Sequence, residues 1–305
     1  MGRILVGTCN WADHAAFYPR GVKPAERISY YANYFPIVEV DASFYRLMPP
    51  HNFELWAERT PDDFVFNVKA YRTLTRHGER YEAGKRHEAD APELDPTDED
   101  FRLFKESIQP LKAAGKLRAV HFQFPPWFTA TDRNRQYLEV VREYFPDDLL
   151  AVEFRHKSWL AGEELDRTME KLRELDAAYT AVDQPQLGSG SVPPVAEVTT
   201  PRLSVVRFHG RNYKSWYKKD ARTSAERFDY LYSKDELAEW VPTIERLAHA
   251  ANEVHVLMNN NRGNYAVVNA RDVQLLLGQQ PKLPDIEPSE GPPRAPKQGR
   301  LPLEA

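Results

Sequence analysis

A single cysteine, Cys9, stands in a chain of 305 residues. A lone thiol excludes an internal disulfide framework and any zinc cluster built on cysteines. No run approaches the roughly 18 apolar residues needed to span a bilayer, and the N-terminal stretch lacks the charged-then-apolar pattern of a signal peptide. A cytoplasmic protein with no membrane contact is therefore expected. Charge of one sign is also missing: 41 Lys and Arg oppose 45 Asp and Glu, for a net −4 and a pI near 6.2. That balance argues against coating nucleic acid or an anionic membrane by bulk attraction, but it leaves room for a locally basic pocket. There is no P-loop, no G-x-G-x-x-G after a strand and no G-x-S-x-G elbow, so no nucleotide cofactor has motif support.

What the chain does contain is a hydrophobic fraction of 42%, enough for a sizeable core, arranged in short runs. Eight of them read as buried strands: Arg3–Cys9, Pro36–Ala42, Phe64–Ala70, Arg118–Phe124, Leu149–Arg155, Ala178–Asp183, Leu203–His209 and Val254–Asn259. Helical patterns fill most gaps, at Pro24–Phe35, His51–Glu58, Asp98–Ala114, Arg133–Tyr144, Glu163–Leu175, Lys234–Ala251 and Ala266–Leu277. Eight strands alternating with helices predict an α/β fold, a single (β/α)8 TIM-type barrel over residues 1–280. The sixth unit is irregular, because Gln184–Pro201 carries Gly-Ser-Gly-Ser and Pro-Pro and reads as a loop. Tyr71–Thr97 and Gly210–Tyr232 read as long mouth loops, and the Pro-rich tail 281–305 as disordered or strapped over the surface.

Charges occupy the C-terminal halves of these strands at a spacing of two, so they share a face. They are Glu39 and Asp41, Asn67 and Lys69, His121 and Gln123, Glu153 and Arg155, and Arg207 and His209, with Asp183 and Asn259–Asn261 ending the sixth and eighth strands. Buried in a barrel, such a set must pair with itself or meet a ligand. A self-satisfied salt-bridge plug is the purely structural alternative. Barrel enzymes place catalytic groups at C-terminal strand ends, which favours a site.

Glu39, Asp41, Lys69, His121, Glu153, Asp183 and His209 are the candidate catalytic residues. Trp11, Tyr45, Gln123, Arg155, Trp159, Arg207, Arg211, Asn259, Asn260 and Asn261 are the candidates for holding a substrate. The helix start after Asn261, approached by Arg207, Arg211 and Lys214, suggests a phosphate or carboxylate site. Aromatic rings near the mouth suit an organic anion or simply pack the loops. A divalent metal is not favoured. No close-spaced pair such as H-x-x-x-H occurs, and Lys69, Arg155 and Arg207 would compete for the carboxylates. Cys9, without an identified base, reads as a small core filler.

Several motifs together resemble a known family. Gly7-Thr8-Cys9-Asn10-Trp11 followed by Phe17-Tyr18-Pro19, Val38–Tyr45, Phe66–Lys69, Gln123–Pro126, Val152–Trp159, Arg207–Arg211 and the Asn259–Asn261 run followed by Asn269-Ala270 are similar to the YecE-like proteins, the domain of unknown function 72. The resemblance covers roughly residues 3 to 278 and implies a barrel, with no established activity. The first motif departs from the commoner form, in which Ser-Gly precedes the Trp. A family-wide nucleophile at Cys9 is not supported.

The residues read best as an enzyme acting on a phosphorylated or other anionic organic molecule at the barrel mouth. Hydrolase, isomerase and lyase chemistry are equally open. Two other classes stand beside it. One is a nucleic-acid binding or processing protein, with the charged loops Lys85–His87 and Lys214–Arg227 flanking a groove. The other is a non-catalytic metabolite sensor. The sequence does not reveal the oligomeric state.

Overall fold

Residues that alternate between apolar and small or polar side chains build strands with two distinct faces, and eight such strands close on themselves. The computed structural model describes residues 1–77, 95–188, 191–214, 216 and 228–289. The strands are β1 Arg3–Cys9, β2 Ile37–Val40, β3 Val65–Lys69, β4 Leu117–Gln123, β5 Leu150–Glu153, β6 Ala177–Asp183, β7 Ser204–Phe208 and β8 Glu253–Met258. Each pairs in parallel with the next, and β8 pairs with β1. The result is a (β/α)8 barrel.

Helices α1 Arg27–Ala32, α2 Ala42–Tyr45, α3 Pro50–Glu58, α4 Asp98–Ala113, α5 Asp132–Tyr144, α6 Glu163–Glu174, α7 Lys234–Ala238, α8 Val241–Ala250 and α9 Tyr265–Leu276 pack outside the barrel or cap its strand ends. The single helix expected over Lys234–Ala251 is broken in two. Pro242 sits in the first turn of α8, where its missing N–H and its ring prevent the α7 hydrogen-bond ladder from continuing. Among the described residues the sixth unit has no helix. Thr199 takes over some of its bonding, accepting from the Tyr179 N–H at 2.8 Å and donating to the Ala177 carbonyl at 2.6 Å. The expected mouth loops fall partly outside the described residues, at 78–94, 215 and 217–227.

The strand faces divide the core. Leu5, Cys9, Ile37, Val65, Ala119, Ala151, Ala178, Val205 and Leu257 fill the barrel interior below its mouth. A larger layer, including Phe66, Phe122, Phe154, Phe208, Trp240 and Val267, lies between strands and helices. Gly7 shows how tightly β1 meets β2, since a Cβ there would lie 2.1 Å from the Ile37 carbonyl oxygen. The start of the tail is laid along α9. Leu283 is buried, Arg271 pairs with Asp285 at 2.9 Å, and Ser289 meets Asn264 through two hydrogen bonds. Residues 290–305 lie outside the described set. Among the described residues no helix is long and apolar enough to cross a membrane.

Candidate active site

Parity along each strand decides which polar residues enter the barrel. Glu39 and Asp41 follow Ile37 inward, as His121 and Gln123 follow Ala119, Glu153 and Arg155 follow Ala151, and Arg207 and His209 follow Val205. At the centre the Arg207 guanidinium bridges two carboxylates. Its Nη2 lies 2.6 Å from Glu39 Oε1 and its Nη1 lies 2.6 Å from Glu153 Oε2. All three side chains are fully buried. His121 closes the ring, with Nδ1 2.5 Å from Glu39 and Nε2 3.4 Å from Glu153. Each isolated charge would cost several kcal/mol to bury, and the fork geometry of Arg207 is what offsets that cost.

The second carboxylate oxygen of Glu153 faces Arg155 at 2.5 Å and His209 at 3.1 Å. Arg155 also donates to Gln123 at 3.0 Å and to Gln184 at 3.4 Å. Asn259 donates its amide N–H to His209 Nδ1 at 2.8 Å, while His209 Nε2 stands 3.1 Å from both Glu153 Oε1 and Arg155 Nη2. Burial alone would raise Glu153, but Arg155 and Arg207 overcome it and hold this carboxyl well below the usual range. Glu39 is likewise lowered, by Arg207 and His121 against burial. The imidazoles split. Burial is the largest single effect on His121 and would lower it, yet the Glu39 charge and the hydrogen bonds to Glu153 and Glu39 together raise it, whereas burial and the Arg155 charge push His209 down to about 3.

Above this ring lie the groups nearest the mouth. Asp41 and Lys69 end adjacent strands with Lys69 Nζ 3.9 Å from Asp41 Oδ1, and their side chains keep 18% and 9% exposure. Oδ1 of Asp41 is buried and accepts no hydrogen bond among the described residues. Burial first, and then Glu39, push the Asp41 carboxyl up to about 6, although Lys69 pulls the other way. Burial lowers Lys69. Its ammonium lies over the Phe44 ring at 4.6 Å. Trp216 and Phe228 stand beside the His209 ring at centroid distances of 6.4 and 5.7 Å.

Cys9, Glu39 and Asp41 could offer one ligand atom each to a metal within 4.8 Å of one another. Arg207 Nη2 already reaches all three, at 3.3 Å from the sulfur, 2.6 Å from Glu39 and 3.7 Å from Asp41. The positive charge that a metal would bring to this donor set is supplied by the guanidinium. Burial raises the Cys9 thiol, so it is a neutral wall rather than a thiolate.

Four candidates need correction. Asp183 shares the outward face of β6 with Ala181, opposite Phe208, and its carboxylate is saturated there by Arg211, Tyr232 Oη at 2.7 Å and Trp240 Nε1 at 2.7 Å. Arg211 is committed to that pair and to Glu239. Trp159 stacks on Phe154 in the outer layer and donates to the Phe128 carbonyl. Asn260 turns outward to the Tyr230 carbonyl and Asn269. The anion cradle expected at the α9 start is covered, because the Asn264 N–H donates to Ser289 Oγ at 3.1 Å.

Trp11 packs edge-on against Trp56, Tyr45 is exposed, and Asn261 donates to Asn259 at 3.3 Å. Gln184 was missed by the sequence reading. It is the inward residue that follows Thr180 and Val182, and parity alone would have found it. Asn10 was also missed. It takes φ +62° at the end of β1, a left-handed conformation uncommon outside glycine.

Fold and site together define an eight-stranded α/β barrel protein with a charged, largely self-paired interior that opens into a polar mouth. The model of the family described as protein of unknown function DUF72 matches residues 5–296. The chain belongs to that family. It is 36% identical over 293 residues to the UPF0759 protein YunF of Bacillus subtilis (strain 168), covering 95% of this chain and 98% of that one. A DUF72 family protein of Enterococcus faecalis V583 is similar in structure, with a TM-score of 0.79 at 30% identity over 94% of this chain and 99% of that one. A DUF72 family protein of Thermotoga maritima MSB8 gives 0.75 at 33% identity over 91% and 100%.

Proposed function

We propose that the protein is an enzyme acting on a phosphorylated or other anionic organic substrate at the C-terminal mouth of the barrel. One observation carries this reading: Asp41 and Lys69 face the mouth side by side, and the buried Oδ1 of Asp41 has no hydrogen-bond donor among the described residues. Buried polar atoms are mostly satisfied in a folded core, and among the described residues Asp41 Oδ1 is the one buried carboxylate oxygen left without a donor. A carboxyl raised to about 6 is matched to proton transfer near neutral pH, and Lys69 supplies a donor for an anion. Beneath them the Glu39–Arg207–Glu153 ring fixes the strand ends and holds the local field. Gln123 and Arg155, joined at 3.0 Å, and Asn261, which donates to Asn259 at 3.3 Å, are the further groups this reading assigns to the substrate.

The test is a thermal-shift screen of phosphorylated metabolites, sugar acids, nucleotides and short oligonucleotides. A ligand at 100 times its Kd stabilises the fold by about 2.7 kcal/mol. A small anion should raise the melting temperature, less so in Lys69→Met, and Asp41→Asn should keep the shift while losing turnover. A response to oligonucleotides alone, falling steeply with salt, would replace this reading with nucleic-acid binding. Binding unaccompanied by any turnover would make the protein a sensor.

A further inference from the structure

Among the described residues two lysines, Lys69 and Lys116, have their side chains buried, and they are used differently. Lys116 is 6% exposed and spends its ammonium on structure, donating to the carbonyls of Ala57 at 2.6 Å and Thr60 at 2.7 Å and to Thr60 Oγ1 at 3.3 Å. Lys69 is 7% exposed, yet its Nζ donates no hydrogen bond among the described residues. Its nearest carboxylate oxygen, on Asp41, is at 3.9 Å, beyond hydrogen-bonding distance. The stem is enclosed at the C-terminal end of β3, the nitrogen lies over the Phe44 ring at 4.6 Å with no hydrogen-bond acceptor among the described residues, and a carboxyl stands beside it. An amine held this way is a nucleophile in waiting rather than a structural cation.

We infer that Lys69 captures a carbonyl group, so that the substrate is an anionic aldehyde or ketone held on this lysine as an imine. The inference rests on the mouth reading above and narrows its substrate class. Burial lowers Lys69, as it lowers Lys116, and so moves its equilibrium toward the free amine. The chemistry closes with Asp41 alone. The Nζ lone pair bonds to the carbonyl carbon, and the carbonyl oxygen takes the proton of the Asp41 carboxyl. The nitrogen then returns one proton to the Asp41 carboxylate, giving a neutral carbinolamine. Its nitrogen lone pair expels the hydroxyl, which leaves as water with the proton from Asp41. The product is a protonated imine beside an Asp41 carboxylate, with no oxidant or reductant consumed.

The experiment is reductive trapping of the full-length protein. It is incubated near pH 7 with glyoxylate, pyruvate or glycolaldehyde phosphate, reduced with borohydride, and mapped by peptide mass. At least one probe should label Lys69 no less than tenfold above Lys116 and the exposed lysines, and Lys69→Arg should lose that label. Inorganic phosphate and oxalate, which offer no aldehyde or ketone, serve as anion controls in thermal shift. Anion stabilisation without enrichment at Lys69 would overturn carbonyl capture and leave the mouth reading standing. Neither stabilisation nor labelling would overturn both. Should Lys69→Arg fail to fold, the ratio of Lys69 to Lys116 labelling in the unsubstituted protein decides alone.

Discussion

Two buried carboxylates stand at the ends of neighbouring strands, Glu153 on β5 and Asp183 on β6, and each is joined to an arginine. Their surroundings differ. Asp183 faces outward and meets Arg211 in a two-pronged contact, with a phenol and an indole N–H filling the remaining acceptor positions. This cluster clasps the two ends of the loop between β7 and α7, since Gly210 donates to Tyr232 Oη at 2.8 Å while Arg211 and Tyr232 hold the same carboxylate. Gly210 is required there by its φ of +85° and by Tyr230, whose Cβ would lie 2.7 Å from an added Cβ.

Glu153 faces inward, into a ring that includes two imidazoles and two guanidinium groups and ends at the half-open pair of Asp41 and Lys69. A closed set of charges holds structure together. One that leaves a buried oxygen unanswered has capacity for chemistry.

The largest effect should come from breaking the inner ring at its hub. Arg207→Leu strands Glu39 and Glu153 without their shared counter-charge, and removing one partner of a buried pair costs about 3–5 kcal/mol. Chemical unfolding should show that loss or an unfolded variant. A change below about 1 kcal/mol would mean that water reaches the ring and screens it. Next comes the clasp. Asp183→Asn removes the charge opposing Arg211, leaving Glu239 as a longer contact at 3.3 Å, and should cost about 2–4 kcal/mol. Because the clasp lies outside the barrel, anion binding by the folded variant should persist. Loss of binding in a stably folded Asp183→Asn would break the division between the two regions.

Asp41 should behave in the opposite sense. Its carboxyl is raised from 3.8 to about 6 in the folded protein, so the folded state holds the proton more tightly than the unfolded state does. Its contribution is full below about pH 4 and is lost as pH climbs through 6. Asp41→Asn cannot ionise, so at pH 7 it should be more stable than the parent by about 1–3 kcal/mol. That gain should vanish between pH 6 and pH 4. Melting temperatures of both proteins across this range test it. A destabilised Asn variant at pH 7 would make Asp41 a structural partner of Lys69 instead.

Much of this arrangement was legible because a barrel strand is a period-two object. Once Val38 and Val40 are assigned to the helix side, Glu39 and Asp41 have nowhere to point but inward, and the same holds for Glu153 and Arg155. The failures occurred where parity was not carried to the strand end. Asp183 sits one residue from Gln184, and a shift of one residue reverses the face. Asn260 was misplaced for the same reason, between two inward asparagines. Trp159 lies past the strand, in a short turn of 3-10 helix whose direction no periodicity encodes. The cover that Ser289 places on the α9 start links positions 25 residues apart, and nothing local in the sequence announces it.

The finest separation lies within the inner ring, between its two histidines. Both touch Glu153, on different oxygens: His121 reaches Oε2 and His209 reaches Oε1. His121 has a second carboxylate, Glu39, on its other nitrogen, whereas His209 has Asn259 there and Arg155 at 3.1 Å from Nε2. Two anions around one ring favour the imidazolium, while an amide donor and a guanidinium favour the neutral ring. His121, raised above 6.5, therefore adds stability that is complete below that pH and fades as pH rises through its folded value. His209, lowered to about 3, adds stability that is complete above 6.5 and fades as pH falls from 6.5 toward 3.

Imidazole nitrogen shifts in labelled protein can read both rings at once. At pH 6.5 His121 should carry protons on both nitrogens and His209 on only one, with His209 unchanged down to pH 5. Asn259→Asp places a carboxylate on His209 Nδ1 and should convert this ring to the doubly protonated form while His121 keeps its own. If the two rings titrate together in the unsubstituted protein, Glu153 does not divide its oxygens between them, and the inner ring is a single delocalised charge cluster.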